Sequence, residues 1–140
     1  MRELARRVGV SHNAPYNHFP DKRDLLGAVA AVGFERLRDG MRSAIAGLED
    51  AEAAVVKCAW TYVRRGLDNP ALHRLMFGPA FADTEHADRP TIARSADTEA
   101  RAVLEEVILL GARAGIFAVS PESPKDLALA ALLVWPPRMA

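Results

Sequence analysis

Near the start of the chain stands GVSHNAPYNHFPDK, Gly9 to Lys22. Between a glycine and a Phe-Pro pair it holds two histidines, two asparagines, a serine and a tyrosine. Such side chains donate and accept hydrogen bonds but seldom build a core. The segment is also short and well bounded, unlike a disordered tail.

Its flanks read as helix. Leu4, Ala5 and Val8 form an apolar stripe from Arg2 onward, and Gly9 ends it where a positive φ is suited to a helix stop. Ser11 is expected to cap a second short helix running through Tyr16 and His18, with Pro15 tolerated near its first turn. Asp21 then caps a long helix, with Asp24 as the return partner of a capping box. That helix carries Leu26, Val29, Ala30, Gly33, Leu37, Met41, Ala44, Ile45 and Leu48 at three- and four-residue spacing.

Downstream, a helix is expected over about Glu52 to Leu67, with Val55, Val56, Ala59, Tyr62, Val63 and Gly66 inward. Asn69-Pro70 starts a short one that Gly78-Pro79 ends, and Phe81 to Pro90 reads as loop. Ala96, Ala100, Val103, Leu104, Val107, Ile108 and Gly111 mark a strong helix from about Thr91 to Ala114, stopped at Gly115. Ser123-Pro124 begins a last helix, apolar on every side from Leu127 to Trp135. Strand alternation is absent, so the expected fold is all-α: a helix-turn-helix segment joined by a long helix to a helical bundle.

Composition narrows the function classes. At 140 residues with half of them hydrophobic, the chain can bury a core. Eighteen basic residues balance eighteen acidic ones, and the first 24 residues carry an excess of only two positive charges. One cysteine, Cys58, precludes an internal disulfide and reads as a small buried hydrophobe in a reducing compartment. The charged N-terminus does not resemble a signal peptide, and the nine residues from Leu127 to Trp135 fall short of the ~20 that span a bilayer. A cytoplasmic location without membrane contact is therefore expected. His73 and His86 lack ligand-like spacing to Cys58, and no Ser-His-Asp set, phosphate loop or carboxylate pair stands out. The chain is not expected to be an enzyme, and nothing calls for a metal or cofactor.

A short helix, a glycine turn and a polar second helix form a helix-turn-helix. Ala5 leaves room for the crossing, while Val8 and Val10 are expected to fill the angle. The second helix offers Ser11, His12, Asn13, Tyr16, Asn17 and His18. In such a motif the N-terminal residues of that helix meet base edges, which suits His12 and Asn13. Ser11, Tyr16, His18 and Lys22 suit phosphate oxygens. Spacing alone leaves a second reading open, a solvated polar face with Tyr16 and His18 half-buried against Phe19.

The stretch MRELARRVGVSHNAPYNHFPDKRDLLGAV resembles the DNA-binding segment of the TetR family of bacterial transcriptional regulators. The resemblance rests on Ala5, Gly9-Val10-Ser11, Tyr16, His18-Phe19, Lys22, Leu25 and Leu26. It implies that Tyr16 and Lys22 hold phosphates while Ser11 to Asn13 and Asn17 face the groove of a double-stranded operator. Tyr62-Val63, Asn69-Pro70-Ala71-Leu72 and Leu75-Met76-Phe77-Gly78 are similar to the C-terminal subclass named for a Trp-His-Gly element. That similarity implies a domain that binds a small effector between helices and pairs with a second copy. The implied division is a DNA-binding unit over 1–45 and an effector-binding and dimerisation unit over 46–140. Trp60, Tyr62, Met76, Phe77, Phe81, Val103, Leu104, Val107 and Ile108 are the candidates for lining the pocket of an apolar effector, with plain core packing as the competing role.

Two departures from the family stand out. It has a further helix of about twenty residues before the pair, so the expectation for Met1 is an internal methionine taken as a start, the alternative being a shortened protein that does not hold its reading head rigid. Pro136-Pro137 also stands where the subclass continues Trp into His-Gly, which bears on dimerisation. The function implied is a ligand-responsive regulator, usually a repressor, acting as a homodimer. The competing expectation is a helical ligand-binding or dimerisation fragment that does not bind DNA.

Overall fold

The computed structural model describes residues 2–11, 13–78 and 90–116, and these are helical apart from their turns. His12, Phe81, the segment up to Arg89 and the expected last helix through Trp135 lie outside the described residues. The elements are α1 (Arg2–Val8), a 3-10 helix (Ala14–Asn17), α2 (Lys22–Ile45), α3 (Ala51–Asp68), α4 (Pro70–Phe77) and α5 (Thr91–Arg113).

Helix ends follow local chemistry. Gly9 sits at φ +75°, donating to the Arg6 carbonyl while Val10 donates to that of Ala5, the paired bonds of a Schellman stop. Gly115, at φ +74°, ends α5 by the same pairing: it donates to Ala112 and Ile116 donates to Gly111. Asp21 Oδ1 accepts from Asp24 N at 2.9 Å, Asp50 Oδ1 from Glu52 N at 2.9 Å and Asn69 Oδ1 from Leu72 N at 3.0 Å. Each satisfies an N–H that the first turn of a helix leaves without a partner.

The element after Gly9 differs from expectation. It is a four-residue 3-10 helix, and Ser11 contributes its backbone carbonyl, 3.1 Å from Ala14 N, rather than a side-chain cap. Pro15 has no N–H to donate, and the bonds from Tyr16 to Asn13 and from His18 to Pro15 span three residues. Val8 and Val10 are 65% and 44% exposed, so they do not fill an interhelical angle. Ala5 is the one buried side chain described between Arg2 and Asp21.

The core lies where α2, about 36 Å long, packs against α5, α3 and α4. Phe34, Met41 and Val103 are fully enclosed there, with Leu37, Leu104, Val107 and Ile108 around them. Phe34 meets Phe77 edge to face at 5.4 Å. Small residues let the helices close up. A Cβ on Gly27 would fall 2.6 Å from the Pro90 ring, and one on Gly33 would fall 2.5 Å from Met76 Sδ. Arg38 of α2 pairs with Glu99 of α5 at the edge of this contact.

On α3 the inner face is Ala51, Ala54 and Cys58, with Val55 and Tyr62 partly covered. Val56, Ala59 and Val63, expected inward, are exposed. At 100° per residue Trp60 stands about 200° around the helix from Cys58, and it is 61% exposed. Cys58 is buried, and burial pushes its thiol up to about 11, as suits an unreactive core residue.

Candidate functional site

Two places concentrate functional side chains. The first is the surface from Gly9 to Lys22. Ser11, Asn13, Asn17, His18 and Lys22 are exposed, and Tyr16 is 45% exposed. The Schellman stop of α1 fixes one end, and the Asp21 cap of α2 fixes the other. Phe19 is half-buried below, its N–H bonded to the Pro15 carbonyl at 2.9 Å. On α1, Arg6 and Arg7 both hydrogen-bond Glu3, at 2.8 and 3.0 Å, and hold its carboxyl below the usual carboxylate range. Those two cations are thus engaged within the helix. Lys22 makes no ion pair among the described residues and stands on the first turn of α2, where the helix dipole also favours an anion.

The second place is a cavity of about 110 Å³ between α2, α3 and α4. Gly33 and Leu37 come from α2, Tyr62 and Gly66 from α3, and Leu72, His73, Met76 and Phe77 from α4. Gly66 leaves room for the His73 ring, which a Cβ there would approach to 3.0 Å. The Tyr62 hydroxyl lies 3.4 Å from His73 Nε2, and both rings are edge or tilt partners of Phe77, at 6.1 and 4.8 Å. Burial pushes the Tyr62 phenol up to about 12 and holds the His73 imidazole below its ordinary range, so both side chains are neutral near pH 7. Arg36 and Arg65 stand exposed at the rim.

Of the expected pocket residues, Tyr62, Met76 and Phe77 line this cavity, whereas Trp60 faces away from it on the outer side of α3. Val103, Leu104, Val107 and Ile108 are buried in the core that α5 forms with α2, outside that lining. Phe81 and His12 lie outside the described residues. Sequence reasoning missed Arg36, Arg65 and His73, although Gly33-Arg36-Leu37 and Tyr62-Arg65-Gly66 share the spacing of one helical face.

Among the described residues no helix is long and apolar enough to cross a membrane, and no group of three metal-ligating side chains converges.

Comparison with known proteins bears on both ends of the chain. No curated protein matches it. Along 96% of its length it is similar to the solved structure of a protein of unknown function from Rhodococcus sp. RHA1, at 28% identity and a TM-score of 0.72. The chain spans 65% of that protein's length. It also shares its fold, over the same 96%, with the TetR family transcriptional regulator PfmR from Thermus thermophilus, at 19% identity, a TM-score of 0.67 and 72% of that chain. Residues 1–29 match the family of bacterial regulatory proteins described as tetR. That match covers α1, the 3-10 helix and the first turns of α2.

Proposed function

We propose that the chain is a sequence-specific DNA-binding transcriptional regulator of the repressor kind, released from its operator by a small-molecule effector. The observation that carries this reading is the match of residues 1–29 to the tetR family, a segment within which Ser11, Asn13, Tyr16, Asn17, His18 and Lys22 are exposed. Asn13, with His12, supplies groups for purine edges; Ser11 and Asn17 face the groove; Tyr16, His18 and Lys22 hold phosphates. Residues 1–45 then form the reading head and its connecting helix, and residues 46–140 the effector-binding and dimerisation unit.

In this reading a homodimer sets two such segments into successive major grooves, roughly 34 Å apart, on a near-palindromic operator. Effector binding between α2, α3 and α4 favours a different tilt of α2, the helix that continues directly from the reading head. The shift is limited to the difference in effector affinity between the two arrangements.

The test is binding of the purified chain to DNA from its own promoter region, followed by fluorescence anisotropy against a scrambled duplex. A specific complex that survives competitor DNA supports the reading. A second reading, a ligand-binding or dimerisation fragment that does not hold DNA, draws on the shallow packing of residues 2–21, where Ala5 is the one buried side chain described. Binding to neither duplex favours it.

A further inference from the structure

We infer that the cavity between α2, α3 and α4 is built for a single-ring aromatic anion, a small arene carboxylate being the chemistry that fits it. This rests on the effector reading above and adds the class of ligand.

Size sets the first limit. A cavity of about 110 Å³ is close to the volume one benzene-sized ring requires, and too small for a polycyclic ligand without rearrangement. Met76, an unbranched thioether in the floor, supplies the local adjustment.

Wall chemistry sets the second. Tyr62, His73 and Phe77 form a cluster of mutually tilted rings, which presents edges and faces to a further ring. Leu37 and Leu72 complete an apolar lining.

Charge sets the third. The charged groups lining the cavity are Arg36, Arg65 and Asp68. Asp68 is already engaged, its two carboxylate oxygens 3.1 and 3.3 Å from Arg64 Nε. Arg36 and Arg65 make no ion pair among the described residues, so the balance at the rim is positive. The Tyr62 hydroxyl, 3.4 Å from His73 Nε2, adds no charge to this balance near pH 7. A ring seated against Phe77 with its carboxylate toward the rim would satisfy the arginines while leaving the apolar wall dry. A guanidinium matches a carboxylate with paired N–H donors, which a neutral amide cannot use in the same way.

The test titrates the full 140-residue chain with benzoate and with benzamide by calorimetry at pH 7. Benzoate is expected to bind about tenfold tighter or more, and replacing both Arg36→Met and Arg65→Met to remove that preference while leaving benzamide binding unchanged. Should the double variant fail to fold, the salt dependence of benzoate affinity in the unmodified chain serves instead: a fall with salt supports the inference, and no change overturns it. Equal affinity for the two compounds overturns the anion assignment and leaves the effector cavity standing. Binding of neither overturns both.

Discussion

The Tyr62 hydroxyl of α3 lies 3.4 Å from His73 Nε2 of α4, with Phe77 against both rings. This pair joins α3 to α4 and places a titratable ring in the cavity wall. Burial holds His73 below its ordinary value of 6.5. The folded chain therefore binds fewer protons at this site than the unfolded one as pH falls. Stability present above about pH 6.5 is lost as pH drops through the lowered native value. Tyr62 and the charged Arg36, Arg65 and Asp68 line the same cavity. Thermal unfolding between pH 7.5 and 5.5 should show a falling midpoint, with a shallower fall in His73→Gln. Identical slopes for the two proteins would remove His73 from this role.

Phe34 is fully buried and meets Phe77 edge to face at 5.4 Å, at the centre of the packing of α2 on α4 and α5. Phe34→Ala should cost about 3–5 kcal/mol in urea unfolding, since the cavity left is walled by helices that cannot easily collapse. A loss below about 1 kcal/mol would contradict the core described.

Gly27 tests the close approach of α2 to the start of α5. An added methyl would stand 2.6 Å from two carbons of the Pro90 ring, which cannot swing aside as a flexible chain end would. Alanine improves helix propensity by up to ~1 kcal/mol, but overpacking of this kind costs roughly 1–3 kcal/mol. Gly27→Ala is therefore expected to destabilise the fold by on the order of 1 kcal/mol, despite being the better helix former. Stabilisation by this substitution would mean that the two helices are farther apart.

Much of this fold was legible from the sequence for identifiable reasons. Gly9 and Gly115 act as helix stops because their neighbours supply no other left-handed residue, and Asp21 and Asn69 cap because their side chains reach the next turn's N–H. The face of α3 was not legible. Val55, Val56, Trp60, Tyr62, Val63 and Leu67 surround that helix, so periodicity alone does not select an inner side. The small Ala51, Ala54 and Cys58 occupy it instead, permitting close packing with α2 and α5. The four-residue 3-10 helix was equally hidden, because so short a run carries no period that separates three-residue from four-residue bonding. Asp97, which the apolar pattern of α5 does not single out, is buried with Arg101 Nη2 3.4 Å away. Arg36 and Arg65 come to one cavity only when α2 and α3 are brought together.

If side chains between Gly9 and Lys22 grip a duplex, the salt dependence of operator affinity records how many phosphates they hold. Lys22→Ala should weaken binding to all sequences alike and flatten the slope of log affinity against log salt by ~1, while Tyr16→Ala should weaken binding as well. Specific affinity and slope unchanged with both residues replaced would mean that this surface does not hold the duplex.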